Sequence, residues 1–265
     1  HTVEVRILLL AHDAVALDPL GRIVTAGYTS SFDLPTTDGC FQPAHGGGAN
    51  DTFIARLLPD DLTEPEYLTY LGGTNNEVSQ ILLILGAFQP LSYLNPFLTW
   101  PGLAVDPDGD VVVGLGTRSP DYPRTPGAFG SMPTAERRDV AVTKLRLDAN
   151  LSREEQLVFS AAFGGEFDQA ATDVAVAGDG TLWVSGWTFS SNFLSKGAAL
   201  PSTYAGDGMG TFVAHIDPRL EGQEQLLYSS RFGGSGQSYS MILAGDGTLL
   251  LGGVEKQLGR PLKWD

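Results

Sequence analysis

Four stretches decide the fold: ALDPLGRIVTAGYTSS at residues 16–31, AVDPDGDVVVGLGTRS at 104–119, AVAGDGTLWVSGWTFS at 175–190 and ILAGDGTLLLGGVEK at 242–256. Aligned on Gly21, Gly109, Gly180 and Gly247, each presents a short apolar run, a tight glycine turn and a second apolar run. Apolar runs this short, bounded by Asp-Pro-x-Gly or Ala-Gly-Asp-Gly, read as two strands of a hairpin. The first two copies stay in step over the following residues. Asp33 maps to Asp121, Pro35 to Pro123, Phe41 to Phe129, Asp51 to Asp139 and Arg56 to Lys144. The third copy places Phe212, Val213, Ala214 and Ile216 in the columns of Phe53, Ile54, Ala55 and Leu57. A sustained offset of this kind is the signature of a repeat architecture.

Within each copy, four strands are expected. The first covers Ala14 to Leu17, Gly102 to Val105 or Asp173 to Val176. The second covers Ile23 to Gly27, Val111 to Gly114, Leu182 to Gly186 or Leu249 to Gly253. A Pro-bearing loop leads to a third, at Phe53 to Leu57, Val140 to Leu147 or Phe212 to Ile216. The fourth ends in Gly-Gly at Gly73, Gly165 and Gly234. The repeat units run about 14–80, 102–172, 173–240 and a partial 241–265, in a single domain. The spacing of 67 residues between Gly180 and Gly247 grows to 71 in the preceding copy and to 88 between Gly21 and Gly109. An insertion therefore lies at 81–101.

Four antiparallel strands per repeat, apolar without clean alternation, predict an all-β β-propeller, its blades buried on both faces by their neighbours. About four blades are expected, with the N-terminal strand Thr2 to Leu10 available to close the last. An all-β sandwich is the alternative. The chain opens on His1, which fits a processed end or a piece of a longer chain.

The motif running from Leu17 to Gly39, then Asp51 to Leu57, then Tyr67 to Gly73, resembles the bacterial SBBP-type β-propeller repeat family. Copies two and three depart from it, the third lacking the Asp and Pro. The resemblance implies a propeller in a secreted, periplasmic or cell-surface protein, and it carries no catalytic signature.

Composition bounds the function. The 33 glycines and 16 prolines in 265 residues exceed average usage and argue against a helical bundle. A net charge of -15 repels phosphate backbones and attracts cations or basic partners, so no nucleic acid is expected. The apolar run from Ile81 is broken by Pro90, Pro96 and Pro101, so no membrane span is expected. The single cysteine, Cys40, permits no internal disulfide and reads as a small buried hydrophobe.

The leading expectation is a non-catalytic binding or scaffolding module that contacts a protein partner or further copies of itself. Its candidate contact residues are Phe88, Tyr93, Phe97 and Trp100 in the apolar insertion. An alternative is carbohydrate binding on Trp183, Trp187 and Tyr28, whose aromatic faces suit sugar rings. The second alternative is a hydrolase or lyase with acids at the central channel. No cofactor is required. Asp106, Asp108 and Asp110 alternate as in a Ca²⁺ loop but lack its full spacing, so a plain hairpin turn competes with a Ca²⁺ site.

Overall fold

The computed structural model describes residues 14–77, 100–131, 133–197, 208–232 and 236–255. They form four antiparallel sheets, one from each repeat. The first holds β1 (Ala14–Leu17), β2 (Ile23–Thr29), β3 (Asp51–Leu57) and β4 (Tyr67–Leu71). The second holds β5 (Gly102–Val105), β6 (Val111–Thr117), β7 (Asp139–Leu145) and β8 (Leu157–Phe163). The third holds β9 (Gln169–Val176), β10 (Leu182–Thr188), β11 (Gly210–Ile216) and β12 (Leu226–Phe232). A fourth pairs β13 (Gly236–Leu243) with β14 (Leu249–Glu255). In each four-stranded sheet the strands lie side by side in chain order.

Chemistry explains the shared geometry. Gly21, Gly109, Gly180 and Gly247 all have φ between 78° and 86°, a region open to glycine at no steric cost. The same register follows in each four-stranded sheet: Val24 faces Arg56, Val112 faces Lys144 and Trp183 faces His215. The columns read from the sequence are thus spatially equivalent. The second strands run two or three residues past the expected glycines, because Thr29, Thr117 and Thr188 still pair with Asp51, Asp139 and Gly210. The third repeat's first strand starts at Gln169, ahead of the expected Asp173. A one-turn helix, α1 (Arg153–Gln156), precedes β8. It is started by Ser152, whose hydroxyl accepts from Glu155 N–H while Glu155 caps Ser152 in return.

The sheets pack in sequence. β1 and β2 meet β5, β5 and β6 meet β9, and β9 and β10 meet β13. Strand β6 shows why its residues are apolar without alternation. Val111, Val113 and Leu115 join the core shared with the first sheet, through Val24, Ala26 and Ile54. Val112 joins the core shared with the third, through Val174, Val184 and Phe212. Burying each such side chain contributes roughly 1.5–3 kcal/mol. Among the described residues no helix is long and apolar enough to cross a membrane. The segment Thr2 to Leu10 and most of the insertion lie outside the described residues.

Candidate functional site: the joints between sheets

The first strands end in hairpin turns that gather together. The turns at Asp18, Asp106 and Ala177 line a cleft of about 330 Å³, with Leu17, Val105 and Val176 as its apolar wall. A second cleft of about 470 Å³ lies between the first and second sheets, with Arg22, Arg56, Glu66, Asp108, Asp110 and Arg146 in its lining.

The carboxylates of these turns are engaged from within. Asp106 Oδ1 accepts the Asp108 and Asp110 backbone N–H groups at 2.9 Å, and its Oδ2 lies 2.5 Å from Lys144 Nζ. Asp110 receives Arg146 in a two-pronged contact, both arms at 2.9 Å, and Lys144 Nζ lies 3.4 Å from its Oδ2. Asp108 is exposed. In the first sheet Asp18 accepts from Leu20 N–H, Arg22 N–H and Arg22 Nε. Burial opposes its ionisation, but the Arg22 contacts outweigh it and hold the carboxyl below the ordinary value. Among the described residues no group of three or more His, Cys, Asp or Glu is placed to hold a metal ion. Asp106 and Asp110 each meet an internal cation instead.

The aromatic candidates separate. Trp187 is fully enclosed, edge-on to Phe189. The Arg138 guanidinium lies 5.9 Å from its ring. Trp183 is half-buried and stacks on His215 at 4.1 Å and 5°. Burial lowers the His215 pKa, and its Nε2 lies 2.8 Å from Thr181 Oγ1. Tyr28 is half-buried on β2. Of the insertion residues, Trp100 is half-buried, while Phe88, Tyr93 and Phe97 lie outside the described residues. Cys40 is buried and free.

The most elaborate chemistry lies at residues whose sequence neighbourhood gives them no prominence. The Gly-Gly that follows the fourth strand of the first and of the second repeat leads to a polar residue four positions on, Glu77 after Gly73 and Gln169 after Gly165. Both side chains cross from one sheet to the next. Gln169 Nε2 donates to Asp139 Oδ1 at 2.6 Å and to Arg138 O at 2.9 Å. Its Oε1 accepts from Thr188 Oγ1 at 3.2 Å, beside it in the third sheet, and from Ser190 Oγ at 2.7 Å. Glu77 repeats the forward half: its Oε1 accepts from Thr117 Oγ1 at 2.8 Å and Ser119 Oγ at 2.5 Å. Its Oε2 accepts Gly73 N–H at 3.1 Å and faces Asp51, the column-mate of Asp139. The glycines are required here. A Cβ on Gly72 would fall 2.6 Å from both Asp51 Oδ1 and Glu77 Oε2, and one on Gly164 would strike Gln169 and Asp139.

A second clasp recurs nearer the outer strands. Gln156 of α1 donates to Gly39 O at 2.8 Å and accepts from Tyr67 Oη, which itself accepts Phe41 N–H at 2.8 Å. At the next joint Gln225 takes Phe129 N–H directly at 2.9 Å, and Gly222 N–H donates to Gly127 O. In both cases a Gly-x-Phe loop of one repeat is held by a glutamine of the next. Tyr67 spans the gap at the first joint, and Phe159 stands in its column at the second.

These groups are enclosed rather than presented. Asp51, Glu77, Asp139 and Gln169 have no exposed surface. Such acids can hold sheets together, but they offer a substrate no access for proton transfer. The chain matches no protein-family model and no curated protein.

Proposed function

We propose that the chain is a β-propeller-type repeat protein of the SBBP kind, with about four blades. In this reading it acts outside the cytoplasm as a non-catalytic binding or scaffolding module for a protein partner or further copies of itself. The observation that carries the reading is the repetition of the joints. The first and second sheets are each clasped to the next by equivalent side chains, and the hairpin turns gather around one cleft, as wedges around a shared axis would. Investment in joints, with the buried acids enclosed, favours a rigid platform over a catalyst.

Apolar exposure supports a contact surface. Val15 and Leu17 are each 65% exposed and Leu20 is 76% exposed, all on β1 and its turn, with Leu17 also lining the turn cleft. A net charge of -15 suits a basic partner. The half-buried Trp183–His215 stack favours carbohydrate as a second reading, since it is an aromatic surface with solvent access.

The test replaces residues 82–99 by a short Gly-Ser linker and, separately, changes Leu17 and Leu20 to Glu. Light scattering then measures particle mass across a concentration series. Loss of a higher-mass species in either variant supports the scaffold reading. An invariant monomer in all three proteins, with no bound protein recovered by the wild type, would sink it.

A further inference from the structure

We propose that the first joint is a proton-operated clasp, in which Glu77 serves as a neutral carboxylic acid in a position built for glutamine. The two joints are equivalent. Asp51, Gly72, Glu77, Thr117 and Ser119 stand where Asp139, Gly164, Gln169, Thr188 and Ser190 stand one repeat later. At the second joint, the amide nitrogen of Gln169 donates to the aspartate while its oxygen accepts from the two hydroxyls. An ionised Glu77 has no donor with which to repeat the first of these contacts.

The surroundings show where the proton belongs. Glu77 Oε1 already accepts two hydroxyl hydrogens, whereas Oε2 accepts one backbone N–H and faces Asp51. Asp51 Oδ2 accepts Gly46 N–H at 2.5 Å, and among the described residues the buried Asp51 Oδ1 has no other hydrogen-bond donor. A proton on Glu77 Oε2, donated to Asp51 Oδ1, satisfies both. It also leaves one negative charge in the pocket instead of two.

The other titratable groups facing the pair do not change this assignment. His45 Nδ1 lies 3.6 Å from Asp51 Oδ2, and its ring packs on Phe32 and edge-on to Tyr70. Asp121 is tied to Thr74 N and Oγ1, and Tyr122 Oη lies 2.9 Å from Thr143 Oγ1. Tyr28 lies on the adjoining β2. Burial pushes the Glu77 carboxyl up to about 8, against the opposing pull of Ser119, Thr117 and Gly73, and burial also raises Asp51.

The direction follows from linkage. A carboxyl whose pKa is higher folded than unfolded binds its proton more tightly in the native state. Its stabilisation is complete below the ordinary carboxyl range and is lost as pH rises through about 8. When the proton leaves to solvent, two carboxylates face each other across Gly72, and the first and second sheets are driven apart at this point. The second joint, held by an amide, has no such response.

The experiment compares thermal melts of the full chain, its E77Q variant and its Q169E variant from pH 5 to pH 8.5. Between pH 6 and pH 8.5 the wild-type Tm should fall by ~5–10 °C relative to E77Q. Q169E should acquire a second loss of the same sign. Hydrogen exchange should report opening at residues 73–77 and 117–119 in the wild type at pH 8.5, and not in E77Q. Parallel Tm curves for wild type and E77Q would overturn the proposal. So would an E77Q chain that fails to fold, because the amide is neutral and of the same shape.

Discussion

Replacing Lys144 by Met removes one cation from beneath two buried acids. Its ammonium lies 2.5 Å from Asp106 Oδ2 and 3.4 Å from Asp110 Oδ2. The three side chains are 12%, 4% and 2% exposed, so water cannot substitute for it. Asp110 retains Arg146, and Asp106 Oδ1 retains two backbone N–H donors. Asp106 Oδ2 is left facing an apolar methyl. Breaking a buried pair by removing one partner costs about 3 kcal/mol or more, whereas a solvent-exposed pair contributes at most about 1 kcal/mol. Methionine keeps the volume of the lysine stem, so packing changes little and the loss reports charge. For a domain of this size the expected drop in Tm is about 6–12 °C. Urea unfolding at pH 7, followed by circular dichroism, measures the free-energy loss directly, and a thermal melt the shift in Tm. The companion substitution D106N restores neutrality. The side-chain amide it introduces keeps an oxygen that can accept the turn N–H groups, so the D106N/K144M double variant should recover more than half of the loss. A K144M loss under about 1 kcal/mol, or a strictly additive double variant, would refute the claim that this turn is held by a desolvated ion pair.

Two further outcomes follow from the same geometry. Gln225→Ala should lower stability by roughly 1–3 kcal/mol in urea melts, because Phe129 N–H loses its buried acceptor, and exchange at the Gly127–Phe129 loop should rise with it. Millimolar CaCl₂ or EDTA should shift the wild-type Tm by less than about 1 °C, since Asp106 and Asp110 are already engaged by Lys144 and Arg146. A clear calcium-dependent rise would show that the acids are free to bind a cation.

The strands were legible because their signals are local. Glycine at a positive-φ turn and a short β-branched run can be read from a few neighbouring residues, so β1, β2, β5 and β6 start where the sequence places them. The strand ends were less legible. Thr29 and Thr117 look like loop residues until Asp51 and Asp139 are known to pair with them. The joints were hidden for a related reason: their partners lie far apart in the chain, as with Gln169 and Asp139, 30 residues apart. A trace was nevertheless present. Gly-Gly followed by Glu77, by Gln169 and, one residue earlier, by Gln237 puts a polar amide or acid at a nearly fixed distance beyond each repeat's fourth strand. Paired with Thr-x-Ser at residues 29–31, 117–119 and 188–190, it marks a contact between consecutive copies. The aromatic candidates differ in exposure, a difference that aromatic content alone does not carry: Trp187 is enclosed and Trp183 partly open.

Because Gln156 grips Gly39 and Gln225 grips Phe129, both hand-offs point the same way along the chain. A copy in the middle of the series is not self-sufficient: it carries the hook for one neighbour and the eye for the other. An extra copy spliced in between two others would bring a compatible hook and eye, whereas one inserted in reverse order or cut at mid-loop would arrive with neither. Arrays assembled this way can grow by gene duplication without redesigning any contact, and the residue beyond each Gly-Gly, the acid Glu77 or the amide Gln169, sets the pH response of its own joint separately.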